Sequence, residues 1–300
     1  MFFPEWNVLV VDDEPDVLAV TRLALKDVTV YGLPVKIHTA RSKAEAIERL
    51  NSELALAGSA EGVCAVAFID VVMESDQAGL ELCDEIRHAM GNYSTQLFIR
   101  TGQPGVAPER KVIDDYDISG YFTKMEMTEQ KLYTLVKSGV RQWFSNWYAR
   151  LIAESTNAAV ARSASRTQLL ESMGALGEEG PHEGEPITGI VFEDAIFFSD
   201  YEPARLRALR DELSALPPTI RAPEGHTLTT DAQGRLLVEI VETPSTSSYY
   251  YVADGQMVMP RPLLDITFRN GLVMATLWKR AAPDLDKLSP AVAARLIRRD

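Results

Sequence analysis

The first 127 residues alternate short apolar runs with amphipathic stretches. Five apolar runs have the length and polar boundaries of strands, and they cover residues 8–11, 35–40, 63–70, 97–101 and 120–124. Helix-type stretches separate them at residues 15–27, 42–57, 79–90 and 107–115, and a fifth begins at residue 128. Strands that alternate with helices usually form a parallel sheet with helices on both faces. The pattern therefore predicts a doubly wound α/β domain.

Polar side chains close four of the five apolar runs. The chain places Asp12, Asp13 and Glu14 after the first run, Asp70 at the end of the third, Thr101 at the end of the fourth and Lys124 at the end of the fifth. The carboxyl ends of parallel strands meet at the edge where open α/β sheets bind their ligands. Clustered carboxylates suit a hard divalent cation such as Mg²⁺ and a phosphoryl group bridged by it. The pattern predicts a phosphoryl-transfer site at this edge.

This set of residues, in this order, resembles the receiver domain of two-component response regulators over about residues 6–127. The resemblance implies a flavodoxin-like (βα)5 fold and a histidine kinase or phosphotransfer protein as the phosphodonor. Carried over by position, it assigns the phosphoacceptor to Asp70, the Mg²⁺ ligands to Asp12, Asp13, Asp70 and the carbonyl of Val72, the switch pair to Thr101 and Tyr121, and the phosphoryl contact to Lys124.

The physical chemistry of phosphoryl transfer agrees with these roles. A carboxylate attacks phosphorus only if the charge between it and the phosphoryl oxygens is neutralised, which Mg²⁺ and Lys124 would do together. Such transfer demands little covalent chemistry from the protein, so positioning carries most of the effect.

The sequence departs from the common receiver pattern in three loops. Met125 stands where receivers usually have proline, and a cis peptide there would be costly without proline. The loop after Asp70 lacks the usual proline and is longer than usual, and the segment at 101–105 is rich in glycine and proline. These departures are similar to one receiver subfamily, which often precedes an uncharacterised domain and an HD-GYP phosphodiesterase.

Composition limits the remaining possibilities. Three hundred residues with 46% hydrophobic content correspond to about two globular domains. No stretch approaches the roughly 20 apolar residues that span a bilayer, and the N-terminus does not have the pattern of a signal peptide. Cys64 and Cys83 follow no ligand spacing, which is typical of reduced core cysteines in a cytoplasmic protein.

The net charge of −13 is unfavourable for binding to a nucleic-acid backbone. Proteins that bind phosphate backbones usually carry a basic surplus, which this chain lacks as a whole. The composition therefore favours partners other than nucleic acid.

Residues 128–173 predict an extended fifth helix. Apolar residues recur every three or four positions at Leu132, Val136, Val140, Trp143, Trp147 and Leu151. One interpretation is a signalling helix, which could pair two copies of the chain in a homodimer. The other is that the first half packs on the receiver and the two tryptophans cover a domain junction. Residues 174–186 read as a flexible acidic linker because glycine, proline and glutamate dominate them.

Residues 187–300 predict a small α+β domain with a mainly antiparallel sheet. The expected strands are 187–198, 227–230, 235–242, 248–252, 263–269 and 272–279, and the expected helices are 202–216 and 290–298. Asn270-Gly271 between two apolar runs is a strong hairpin signal.

The function of residues 187–300 is left open by their sequence. Two histidines, His182 and His226, are too few for an HD-type metal cluster, and no nucleotide cyclase or phosphate-loop motif is present. We therefore expect no enzymatic activity beyond the phosphoacceptor chemistry of the receiver. The favoured output is a phosphorylation-dependent contact with a protein partner or a second copy. The alternatives are a transcriptional regulator that binds nucleic acid and a divergent enzyme.

Overall fold

The computed structural model describes residues 4–55, 62–102, 109–174, 188–199, 201–243, 245–255, 257–285 and 287–298. The chain divides into an N-terminal unit, Phe3–Trp147, and a C-terminal unit, Tyr148–Asp300 with Met1–Phe2. Among the helices of these described ranges, none is both long enough and apolar enough to span a lipid bilayer.

A six-stranded sheet forms the centre of the N-terminal unit. Its strands are β1 (Trp6–Val11), β2 (Thr29–Val30), β3 (Leu33–Ala40), β4 (Cys64–Asp70), β5 (Gln96–Thr101) and β6 (Gly120–Thr123). The order across the sheet is β2-β3-β1-β4-β5-β6, and every pair is parallel except β2 with β3. Apart from the short β2, this is the flavodoxin-like strand order, which confirms the predicted doubly wound fold.

Helices connect these strands at the predicted places. They are α1 (Pro15–Ala24), α2 (Lys43–Asn51), α3 (Ala78–Asp84) with a π-helical turn at Glu85–Ala89, α4 (Glu109–Tyr116) and α5 (Glu129–Ala161). Ser42 caps α2 because its hydroxyl accepts a hydrogen bond from the Glu45 amide at 3.2 Å. The helix expected to reach residue 57 ends at Asn51, where the chain turns.

The core of the N-terminal unit surrounds its central strands. All seven residues of β4 are buried, as expected for a parallel strand covered on both faces. Gly139 of α5 lies so close to the sheet that an added Cβ would come within 2.7 Å of the Val66 side chain. The burial holds the strands in register, so their carboxyl ends meet at one edge.

Helix α5 is a continuous helix of 33 residues, about 50 Å long at 1.5 Å per residue. The predicted helix does not continue to residue 173, because residues 162–165 break it before α6 (Arg166–Gly174). Ser165 caps this second helix by accepting a hydrogen bond from the amide of Gln168 at 3.2 Å. The linker expected at 174–186 lies outside the described residues apart from Gly174.

Aromatic side chains anchor the middle of α5 within the N-terminal unit. The ring of Trp6, at the start of β1, lies 6.3 Å from Trp143 and 5.2 Å from Phe144, both in edge-on geometry. Trp147 stacks on Trp143 at 6.3 Å. The indole of Trp6 also donates a hydrogen bond to the Val30 carbonyl at 2.8 Å. The first half of α5 therefore packs within the N-terminal unit, as one of the two interpretations expected.

The sheet of the C-terminal unit is antiparallel throughout its seven strands. The strands are β7 (Thr188–Phe192), β8 (Ile196–Phe198), β9 (Ile220–Arg221), β10 (Thr227–Thr230), β11 (Leu236–Thr243), β12 (Thr246–Ala253) and β13 (Leu296–Arg298). Their order is β13-β8-β7-β12-β11-β10-β9. This confirms the α+β architecture with an antiparallel sheet.

Helices cover both faces of this sheet. They are α7 (Pro203–Ser214), α8 (Arg261–Arg280) and α9 (Pro290–Arg295), in addition to α6. Leu206, Leu209 and Leu213 of α7 pack with Tyr250 in one core, while Tyr249 belongs to the core that includes α8. Neighbouring tyrosines therefore point to opposite faces, as the alternation along a strand requires.

The predicted strands at 263–269 and 272–279 and the hairpin at Asn270-Gly271 between them are wrong, because the whole segment lies inside the helix α8. The buried side chains of this segment recur at helical spacing, from Leu263 and Leu264 to Met274, Ala275 and Trp278. A Cβ on Gly271 would meet the Val238 side chain at 2.8 Å. Glycine at this position therefore allows α8 to pack closely on the sheet, and it does not form a turn.

Two further boundaries differ from the sequence prediction. The strand expected at 187–198 is split into β7 and β8 by a turn in which Glu193 and Asp194 both have φ of 54°. The helix expected to end at residue 298 stops at Arg295, since the next residues pair with β8 as strand β13. Strand pairing sets both boundaries, because β8 pairs with β7 on one side and with β13 on the other.

Candidate active site of the N-terminal unit

The acidic residues predicted to share one sheet edge do lie together. Asp12, Asp13 and Glu14 follow β1, and Asp70 ends β4. Each of the four offers a carboxylate oxygen, and these oxygens lie within 4.8 Å of one another. Asp12 and Asp70 are buried, whereas Asp13 and Glu14 are exposed. We call these four residues the acidic cluster.

Lys124 bridges three members of the acidic cluster. Its Nζ lies 2.7 Å from Oδ2 of Asp70, 2.7 Å from Oε1 of Glu14 and 3.3 Å from Oδ2 of Asp12. Burial lowers the pKa of Lys124, but its hydrogen bonds to Asp70 and Glu14 outweigh this and raise that pKa above its ordinary value. The ammonium is therefore a fixed positive charge beside the Asp70 carboxylate at neutral pH.

Arg100 is a second cation at the site, and sequence reasoning missed it. Its side chain is buried on β5, where Nη2 donates to Oδ2 of Asp12 at 3.1 Å and Nη1 to the Thr21 hydroxyl at 2.9 Å. Burial lowers the pKa of Arg100, and Asp12 counteracts this. A charged residue inside an otherwise apolar run was the available signal, because a buried charge needs a partner.

The carboxyl group of Asp70 is only partly satisfied by protein groups. Its Oδ2 pairs with Lys124, whereas its buried Oδ1 has no hydrogen-bond partner among the described residues. Burial raises the pKa of this carboxyl group, Lys124 opposes the shift, and Asp12 adds to it. An orphaned buried carboxylate oxygen is costly unless a further partner uses it.

Gly79, at the start of α3, lets the helix approach the end of β4 closely. A Cβ at this position would lie 1.9 Å from the carbonyl oxygen of Asp70. The Gly79 amide also donates to the Val71 carbonyl at 3.0 Å. Glycine is therefore part of the framework that positions Asp70.

The acidic cluster fits a hard divalent cation. Carboxylate oxygens are the ligands that Mg²⁺ prefers, and each of the four acids offers one here. The predicted ligands Asp12, Asp13 and Asp70 are brought together, and Glu14 joins them. The role of the Val72 carbonyl stays a prediction.

The predicted switch residues lie beside the site on neighbouring strands. Thr101 ends β5 fully buried and pairs in register with Thr123 of β6. Tyr121 pairs with Ile99 and packs against the core that includes it. Their switch roles stay predictions, and residues 103–108 lie outside the described part of the chain.

The loop after β6 forms a short helical turn although it contains no proline. Lys124–Glu126 form a 3₁₀ turn, which Glu126 supports by accepting from the Thr123 amide at 2.7 Å. Along the described chain, no peptide bond is cis.

The described part of the C-terminal unit contains no comparable group of metal ligands. His226 accepts a hydrogen bond from the Val241 amide at 3.2 Å, which is a structural role. His182 lies outside the described residues.

Comparison with known proteins places these features in context. No protein-family model matches the chain. It is 39% identical over 140 residues to 3'3'-cGAMP-specific phosphodiesterase 2 of Vibrio cholerae serotype O1, which is 46% of this chain and 25% of that protein. The chain thus spans about a quarter of the length of this curated relative.

Several solved structures resemble the chain over about half its length. One is the signal receiver domain of an HD domain-containing protein from Pseudomonas fluorescens Pf-5, with 21% identity, TM-score 0.38 and coverage of 46% of this chain and 97% of that one. Another is a response regulator receiver domain protein from Clostridium thermocellum, with 19% identity, TM-score 0.36 and coverage of 45% and 94%. A third is an adenylate cyclase from Rhodopirellula baltica, with 16% identity, TM-score 0.40 and coverage of 50% and 98%.

The comparisons correct one prediction. We expected no enzymatic activity beyond phosphoacceptor chemistry, but the relative at 39% identity is named as a phosphodiesterase. The absence of a known catalytic motif therefore does not exclude an enzymatic relative.

The strand order, the acidic cluster and the lysine at the end of β6 occur together in one unit. Each of these features is common by itself, but their combination at the carboxyl edge of one parallel sheet is specific. The N-terminal unit therefore combines the features that the resemblance to receiver domains implies.

Proposed function

We propose that Asp70 accepts a phosphoryl group from a histidine kinase or a phosphotransfer protein, with Mg²⁺ as the cofactor. The observation that carries the proposal is the state of the Asp70 carboxyl group. One of its oxygens is 2.7 Å from Lys124, and the other is buried without a partner among the described residues. The orphaned oxygen is the atom that would bond to phosphorus, while the bond from phosphorus to the donor nitrogen breaks.

Asp12, Asp13 and Asp70 would hold the metal ion, with the Val72 carbonyl completing the shell. When bound, Mg²⁺ supplies positive charge that lets an anionic carboxylate approach an anionic phosphoryl group. The buried Asp12 is held in place by Arg100, so this ligand is oriented in advance.

Lys124 would transfer part of its contact from the carboxylates to the phosphoryl oxygens. Its side chain is about one-fifth exposed and bridges three acids, so its ammonium already lies beside the carboxylate that would carry the phosphoryl group. Preorganised positive charge at the developing negative charge lowers the barrier to transfer.

We propose that phosphorylation of Asp70 controls an enzymatic output that acts on cyclic dinucleotides. The relative at 39% identity, named as a 3'3'-cGAMP-specific phosphodiesterase, supports this class of output. Thr101 and Tyr121 would sense the phosphoryl group and change the contacts that the receiver makes with a protein partner or a second copy. The same relative argues against the nucleic-acid alternative, as does the net charge of −13.

Intact-mass spectrometry after incubation with acetyl phosphate and Mg²⁺ tests the phosphoacceptor. We expect one added phosphoryl group in the parent chain and none in Asp70→Ala. Asp76→Ala is the matched control, since Asp76 is an exposed acid in the loop after β4. A phosphoryl group that persists in Asp70→Ala would overturn the assignment.

Hydrolysis of 3'3'-cGAMP by the full chain, with and without phosphorylation, tests the output. We expect phosphorylation to change the rate of the chain or of a phosphodiesterase that co-purifies with it. Equal rates for the parent and Asp70→Ala, under conditions that fully phosphorylate the parent, would refute control by Asp70.

A further inference from the structure

Arg100 is a buried cation on β5 that directly follows the apolar residues Leu97, Phe98 and Ile99. Its side chain is 2% exposed, and its two contacts, Asp12 and Thr21, are equally buried at 0% and 2%. The Thr21 hydroxyl that accepts from Arg100 itself donates to the Val17 carbonyl at 2.8 Å. The guanidinium of Arg100 therefore links β5 to α1 through Thr21, and it also pairs with Asp12, the proposed metal ligand.

The carboxylate of Asp12 receives hydrogen bonds from two sources besides Lys124. Its Oδ2 accepts from Arg100 at 3.1 Å, and its Oδ1 accepts from the Glu14 amide at 3.1 Å. Lys124 is farther away, at 3.3 Å and 3.4 Å from the two oxygens. Arg100 and the backbone thus orient Asp12 even when Lys124 moves.

We propose that Arg100 is a positioning residue that stays paired with Asp12 throughout the phosphorylation cycle and weakens the resting affinity of the site for Mg²⁺. This inference rests on the proposed function, because it assigns Arg100 a part in the same site. The pairing leaves Lys124 free to move from Asp12 and Glu14 to the phosphoryl group.

Charge and side-chain geometry both favour separate roles for Arg100, which pairs with Asp12, and Lys124, which moves to the phosphoryl group. A guanidinium stays charged in proteins and presents its donors in a rigid fork, whereas a lysine ammonium sits on a flexible stem. Among the described residues, two cations face the four carboxylates of the acidic cluster. Removing Arg100 would leave the buried Asp12 with uncompensated charge, which a divalent cation would then neutralise.

The test compares Mg²⁺ binding to the parent chain, Arg100→Met and Arg100→Lys by isothermal titration calorimetry without any phosphodonor. We expect Arg100→Met to bind Mg²⁺ about tenfold more tightly, a difference of about 1.4 kcal/mol. Thermal unfolding should show that this variant is less stable without Mg²⁺ and gains more from its addition. Arg100→Lys keeps the charge and should bind Mg²⁺ within about twofold of the parent, a difference below 0.5 kcal/mol by the same relation.

A purely structural role would weaken Mg²⁺ binding in Arg100→Met or leave it unchanged, and either result overturns the inference. If Arg100→Met folds only in the presence of Mg²⁺, the metal has replaced the arginine charge, which supports it. If Arg100→Met does not fold at all, Mg²⁺ binding is measured for Arg100→Gln, which keeps a donor for Asp12. Tighter binding than in the parent supports the inference, and equal or weaker binding overturns it. A parent chain that binds no Mg²⁺ overturns the proposed metal site itself and is thus distinguished from failure of this inference alone.

Discussion

The Nζ atom of Lys124 lies 2.7 Å from Oδ2 of Asp70, so the ammonium and the carboxylate are in direct contact. Lys124 follows β6 and Asp70 ends β4, and β5 lies between these strands. The contact therefore reaches across the full width of a strand, and it depends on a long side chain at that position. It leaves the other oxygen of Asp70 available for chemistry.

Replacement of Lys124 by methionine should slow phosphorylation of Asp70 by about 100-fold, the usual cost of one preorganised electrostatic contact. Mg²⁺ binding should be kept, because the carboxylates of the acidic cluster remain. The measurement is the rate of phosphoryl incorporation by intact mass. Lys131→Met is the matched control, since Lys131 lies over the Phe122 ring at 4.5 Å and does not take part in the site. Equal rates for Lys124→Met and its control would contradict the assigned role.

Replacement of Gly79 by alanine should destabilise the chain by about 2 kcal/mol or more, in the range of overpacked core positions. The added Cβ would lie 1.9 Å from the Asp70 carbonyl, so backbone must move. Gly102→Ala is the control, because among the described residues its Cβ would meet only the Lys124 side chain, at 3.8 Å. Urea unfolding of both variants checks the difference. We also expect slower phosphorylation in Gly79→Ala alone; two equally stable variants would show that α3 adapts.

Cys64 and Cys83 should resist alkylation in the folded chain. Both thiols are buried, and burial raises the pKa of each to about 12. Because the thiolate is the reactive form, almost none is present at pH 8. Iodoacetamide should therefore modify neither cysteine in the native protein and both cysteines in denaturant, as read by intact mass. Rapid native modification at pH 8 would show that the N-terminal core opens readily.

Phosphorylation should change the hydrogen exchange of residues 128–172. Tyr121 lies on β6, and the chain passes from β6 through one turn into α5, so a change at the switch pair reaches this helix first. Trp143 and Trp147 stack on each other in α5 and provide a fluorescence signal. Unchanged exchange, fluorescence and oligomer mass after full phosphorylation would leave this route without support. Asp70→Ala treated with the same phosphodonor is the control.

The sequence by itself determined the architecture of the N-terminal unit and most of its site. Apolar runs that end in Asp12, Asp70, Thr101 and Lys124 predict parallel strands, and parallel strands bring their carboxyl ends to one edge. Local pattern is sufficient here, because the central strands β4 and β5 are buried throughout and the functional side chains stand at or directly after the strand ends.

Tertiary structure alone decided the partners of charged groups and several elements of the C-terminal unit. The pairing of Arg100 with Asp12 joins residues 88 positions apart, and no local pattern encodes it. Asn270-Gly271 has the local signature of a turn, yet it lies in α8 because that helix buries its apolar stripe on the sheet, with Gly271 against Val238. Burial against a distant surface contributes more free energy than a dipeptide preference, so only the assembled fold could settle these positions.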